Sequence, residues 1–191
     1  YRARVRFFVR KGSRWKALSE YDDAQNPKYT NAYFSSTGSG SNPVNRARSK
    51  IILRALGQLT NQANGRIGPY GNPWPNGTHF GAGKGDWWCS EFYTWAAKVA
   101  LKPFGGADTV KELKSYFGAA YHSVESLDDL RNARRGDWLA MFSGGHTGMF
   151  LAQRSDGKII TLEGNVGNRL AIKVRSIANI SGYGSVTSKI K

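Results

Sequence analysis

Cys89 is the only cysteine among 191 residues, and the histidines are His79, His122 and His146. The apolar periodicity after the loop at 65–85 starts a helix near Trp88, which puts Cys89 in its first turn. There the backbone N–H groups and the helix dipole favour an anion, so they favour the thiolate. A thiolate in a partly open site is a nucleophile. The competing reading is a small buried hydrophobe, the ordinary fate of an unpaired cysteine.

A nucleophilic cysteine needs a base. His146 lies in Ser143-Gly144-Gly145-His146-Thr147-Gly148 at the mouth of a strand, where small neighbours leave room for a substrate. His79, in the loop, and His122, after a short helix, read as surface residues. Ser155-Asp156-Gly157-Lys158 is a hairpin turn of the Asp-Gly kind. With Asp156 and Gly157 as a two-residue turn, Gly148 faces Asn165, Phe150 faces Glu163 and His146 faces Gly167. The period of two then puts His146, Glu163 and Asn165 on one sheet face, with Asn165 the diagonal neighbour of His146. A base oriented by an acid or amide completes a Cys–His–orienter set. Taken singly, Glu163 also reads as a carboxylate paired with an arginine, and Asn165 as a turn residue.

These residues need a helix and a sheet to position them. Asn45 is expected to cap a helix to about Asn64, with Ile51, Ile52, Ala55, Leu56 and Leu59 as its apolar stripe. The cysteine helix is expected to run to Leu101, with Phe92, Trp95, Ala96 and Val99 facing the core. A shorter helix covers Thr109–Phe117, and Ser126 caps another over Leu127–Ala133. From Gly136 the period becomes extended. Strands are expected at Asp137–Phe142, Thr147–Gln153, Ile159–Glu163 and Leu170–Arg175, with an edge strand at Ile180–Val186. Helices followed by an antiparallel meander describe an α+β domain.

Residues 1–45 read as a basic arm and linker, and 46–191 as one domain. The arm opens on an alternation, Arg2 to Phe7, suited to an edge strand with a basic outer face, and ends on the Ser/Gly-rich linker 35–41. Net charge is +15, of which +10 lies in residues 1–66. Such a chain attracts polyanions such as nucleic acid, anionic wall polymers or an anionic membrane surface. No finger or RNP-type signature points to a specific nucleic-acid reader. The run Gly81-Ala82-Gly83-Lys84-Gly85 lacks P-loop spacing. No apolar run reaches the ~18–20 residues of a membrane span. One cysteine supports neither an internal disulfide nor a multi-cysteine zinc site.

Trp88-Cys89-Ser90-Glu91-Phe92 at a helix start, Gly136-Asp137 opening a strand, His146-Thr147-Gly148-Met149-Phe150 and Thr161-Leu162-Glu163-Gly164-Asn165 together resemble the CHAP domain. This is the cysteine, histidine-dependent amidohydrolase/peptidase group of the papain-like superfamily. The resemblance covers about residues 65–186. It implies a papain-like α+β fold, with the nucleophile-bearing helix packed on an antiparallel sheet. It also implies hydrolysis of an amide bond in peptidoglycan, by an N-acetylmuramoyl-L-alanine amidase or a stem or cross-bridge endopeptidase. Cys89 would be nucleophile, His146 base and acid, Glu163 the orienter and Asn165 an assistant. Many members carry Gln just before the cysteine, where this chain has Trp88, leaving the N–H of Trp88 or a loop residue such as Tyr70 as second oxyanion donor. Some members bind calcium through an acidic loop. Here Asp86 is the only acid in residues 65–88, so neither metal nor other cofactor is expected. Trp74, Trp87 and Trp88 are candidates to stack on sugar rings or line a peptide groove, with core packing the alternative. A wall substrate implies a secreted or periplasmic protein. The rival function is a non-catalytic basic module that binds cell wall or another polyanion.

Overall fold

The computed structural model describes residues 8–11, 14–17, 42–63, 79–82, 87–105 and 107–191. The arm contributes a two-stranded antiparallel hairpin, β1 (Phe8–Lys11) and β2 (Arg14–Ala17), which forms a sheet of its own. The alternation at residues 2–7 and the linker at 35–41 lie outside the described residues.

Helix α1 spans Pro43–Ala63. It begins earlier than expected because Asn42, not Asn45, is the cap: its Oδ1 accepts from the Val44 N–H at 2.9 Å. Pro43, which has no N–H to lose, occupies the first helical position. Ile51, Ile52, Ala55 and Leu59 are buried as their spacing predicts. The same helix buries Arg48, whose guanidinium bonds Oδ1 of the buried Asp137 at 2.6 Å and Thr187 Oγ1 at 2.9 Å. That ion pair ties α1 to the start of the sheet, so Asp137 has a structural role.

Helix α2 is Cys89–Ala97. It stops short of Leu101 because the chain tightens at Ala97–Ala100 and Leu101 then bridges Ile190 in β fashion. Helix α3, Val110–Phe117, is closed by a reciprocal capping box between Thr109 and Glu112. The helix expected over 127–133 is a single 3₁₀ turn, Asp128–Leu130. Asp129 competes with Ser126 for the capping role: its carboxylate takes the N–H groups of Glu125 and Ser126 together with the Ser126 hydroxyl.

Six antiparallel strands follow: β3 (Tyr121–Ser123), β4 (Trp138–Met141), β5 (His146–Gln153), β6 (Ile159–Glu163), β7 (Ala171–Arg175) and β8 (Ile180–Gly184), in the order β3-β8-β4-β5-β6-β7. The protein is therefore α+β. Contrary to expectation, β8 is an interior strand, because β3, too short to show a period in the sequence, adds outside it. One sheet face, including Trp138, Ala140, Met149, Ile160 and Leu162, packs with α1 and α2 in the main core. The other, including Leu139, Met141, Phe150, Ile159 and Tyr183, is covered by Val124, Leu130 and Ala133.

The β5–β6 hairpin departs from its expected register twice. The Arg154 N–H bonds the Lys158 carbonyl, so the turn holds three residues, with Gly157 in the left-handed region at φ 78°. A bulge at Leu151 then shifts the pairing again, so that Phe150 faces Thr161 and Met149 faces Leu162. Each slip alone would turn β6 over, whereas two restore its facing with a net shift of two residues. Gly148 then stands opposite Glu163, not Asn165. A Cβ on Gly148 would sit 3.0 Å from Glu163 Cγ.

Candidate active site

The register makes Glu163 the diagonal neighbour of His146. The Nε2 of His146 lies 3.0 Å from Glu163 Oε2. Glu163 is fully buried and held from three sides. Arg175 donates from Nε to Oε1 at 2.8 Å and from a terminal nitrogen to Oε2 at 2.5 Å, a fork on both oxygens. Thr161 donates its hydroxyl to Oε1 at 2.5 Å. Burial alone would raise the carboxyl pKa. The bonds from Arg175, His146 and Thr161, with the Arg175 charge, outweigh burial and hold it at about 2.

On the other side of the imidazole is Cys89, the first residue of α2. Its side chain is close enough to the His146 imidazole to help raise that ring's pKa. Burial disfavours a charged imidazole, but the influence of Cys89 and the hydrogen bond and charge of Glu163 prevail, raising the His146 pKa to about 9. Cys89 is 8% exposed. Trp88 precedes α2 without a side-chain cap, so the first-turn N–H groups beside the sulfur have no intrahelical acceptor.

Glycine lets the two elements meet. A Cβ on Gly164 would fall 2.7 Å from Phe92 Cβ and 3.0 Å from Trp88 Cζ3. The end of β6 therefore rests directly on the first turn of α2.

Asn165 lies beyond the end of β6 with φ 59° and makes no hydrogen bond to His146. Trp88 is fully buried, stacked on Phe80 with centroids 5.4 Å apart, and its indole N–H donates to Asn168 Oδ1 at 3.0 Å. Its ring packs in the core. Trp87 is 83% exposed. Tyr70, Trp74 and Asp86 lie outside the described residues. His79 bonds Gln58 Oε1 at 3.1 Å and meets Phe80 edge-on, apart from the site. His122 is on β3, stacked on Tyr183.

Sequence reasoning missed three neighbours. Arg175, at the end of β7, fixes Glu163. Thr161 shares the Glu163 face through the period of two, a signal present in the sequence. Phe142 is 43% exposed, its ring 6.2 Å from that of His146 and 5.1 Å from the Arg175 guanidinium. Phe142 and Ser143 both have positive φ, 51° and 55°, which non-glycine residues seldom adopt. No signal in the sequence marks that conformation.

No protein-family model, no curated protein and no solved structure matches this chain.

Proposed function

We propose that this protein is a cysteine amide hydrolase of papain-like design acting on peptidoglycan, an amidase or endopeptidase as the CHAP resemblance suggests. The observation that carries the proposal is His146 placed between two partners, its pKa raised by the nearby Cys89 and its Nε2 bonded to Glu163, with Glu163 clamped by Arg175.

In this reading Cys89 attacks the amide carbonyl as a thiolate, its proton having passed to His146. The carbonyl π pair moves to oxygen, and the first-turn N–H groups of α2 stabilise the oxyanion, typically by about 3–4 kcal/mol per donor. The intermediate collapses, the C–N bond breaks, and the imidazolium gives its proton to the departing amine. A water then attacks the thioester while His146 takes its proton. That releases the acid and regenerates the sulfur. Glu163 keeps the ring oriented and its charge balanced throughout.

Peptidoglycan as substrate is supported by the resemblance and by the +15 charge, which suits a wall carrying anionic polymers. The same substrate would place the protein in the periplasm or outside the cell. Among the described residues no helix is long and apolar enough to cross a membrane.

Digestion of purified peptidoglycan, with products read by mass spectrometry, tests the proposal. Wild type should release fragments with new amino groups and no new reducing ends, and Cys89→Ala should release none. New reducing ends, or undiminished release by Cys89→Ala, would refute it. Wall binding by both proteins without cleavage by either would favour the binding module.

A further inference from the structure

Between β4 and β5 the chain makes one tight turn, Phe142–Gly144, which leads into His146. Phe142 and Ser143 hold positive φ there, a conformation L side chains rarely adopt, and the fold fixes it from two directions. The Gly145 N–H bonds the Phe142 carbonyl at 3.0 Å, and the Ser143 N–H bonds Ser181 Oγ on β8 at 2.9 Å. A large apolar side chain is thereby kept at the surface beside the candidate base. The Phe142 ring centroid is 6.2 Å from that of His146, and the Arg175 guanidinium lies over the ring at 5.1 Å. Arg175 forks to both oxygens of Glu163, so these two charges satisfy each other. What the exposed residues 142–145 offer next to the imidazole is an aromatic ring, one hydroxyl and two glycines.

The place of this ring relative to a substrate follows from the proton transfer, and so rests on the hydrolase reading. His146 gives its proton to the departing amine, whose nitrogen then stands within ~3 Å of the imidazole. The acyl half stays on Cys89, at the start of α2. The amino acid that owns the departing nitrogen is therefore the part of the substrate brought to Phe142. We infer that Phe142 selects the amine half of the scissile bond and favours there an amino acid with a small, uncharged side chain packed against the ring. A charged side chain would lose water against the ring and find no unpaired counter-charge on Arg175 or Glu163. The same step runs in reverse. A free amine held at the ring attacks the thioester carbon and forms the C–N bond. Its proton passes to His146, and the C–S bond breaks to return the thiolate.

The test is digestion of purified peptidoglycan by the full chain with L-alaninamide, glycinamide and the α-amide of L-aspartate added at equal concentration. Mass spectrometry counts the adduct each amine forms with the released acyl group. Wild type should form the alanine adduct about fivefold more than the glycine adduct, because one apolar carbon on an open ring counts for less than in a closed pocket. The aspartate adduct should be the least abundant. Phe142→Ala should abolish the preference for alanine over glycine, and Phe142→Leu should keep most of it. The ratio compares two amines on one acyl-enzyme, so a partly unfolded variant does not change it. The inference fails if wild type cleaves peptidoglycan but forms no amine adduct, if it forms the alanine and glycine adducts equally, or if the preference survives in Phe142→Ala. In those cases the hydrolase reading stands. If wild type cleaves no amide bond, the hydrolase reading falls and this inference falls with it.

Discussion

Gly164 rests on Phe92 so closely that a methyl group added to the glycine would lie 2.7 Å from the Phe92 Cβ. Phe92 is one helical turn beyond Cys89, and Gly164 directly follows Glu163. This contact therefore sets how far the carboxylate stands from the sulfur. Gly164→Ala should cost about 1–3 kcal/mol by overpacking. It should also remove hydrolysis at temperatures where circular dichroism still reports a folded protein. Full activity in a folded Gly164→Ala protein would show that the spacing is not needed.

Glu163, buried, and Arg175, half-buried, form a pair whose loss is asymmetric. Arg175→Met leaves a carboxylate with no exposed surface to His146 and Thr161 alone and should destabilise by about 2–4 kcal/mol at neutral pH. Adding Glu163→Gln to that variant should restore part of the loss, a coupling that a double-mutant cycle in urea measures. The carboxyl titrates at about 2 in the folded protein instead of the ordinary 4.5. Its stabilising contribution is therefore complete above 4.5 and disappears as pH falls toward 2. Glu163→Gln should flatten the decline of Tm over that window.

His146 has the opposite sign. Its folded-state pKa of about 9 exceeds the ordinary 6.5, so its contribution to stability is complete below 6.5 and is lost as pH rises through 9. An imidazole NMR titration of wild type should show a midpoint near 9. Cys89→Ala and Glu163→Gln each remove a partner that raises it, so each should lower the midpoint. If His146 supplies the proton to the departing amine, hydrolysis should fall above about pH 9.

Phe142 holds an exposed ring beside His146 on a left-handed backbone, an arrangement that costs of order 1 kcal/mol or more. In the proposed hydrolase the use of that ring would be contact with substrate. Phe142→Ala should raise KM several-fold with kcat little changed, the mark of lost uniform binding. A fall in kcat at unchanged KM would assign the ring to the transition state instead.

The apolar stripes of α1 and α2 and the period of two in the strands were legible in the sequence because each reports burial directly. The position of Glu163 was not. It depends on Gly157 taking a third place in the turn and on Leu151 bulging out of β5, and both obey tertiary packing that a hairpin rule does not contain. The same limit explains β3, whose three residues form a strand only because β8 offers an edge. Trp88 was ambiguous for another reason. An indole can pack or bind, and its choice depends on Phe80 and Asn168, which lie far from it in the chain or across a loop.

Alkylation of Cys89 by iodoacetamide, followed by mass spectrometry in parallel with peptidoglycan hydrolysis, tests the central claim most directly. Activity should fall in proportion to the fraction of Cys89 modified and reach zero at one equivalent per chain. Hydrolysis that continues at its original rate once Cys89 is fully modified would contradict the account.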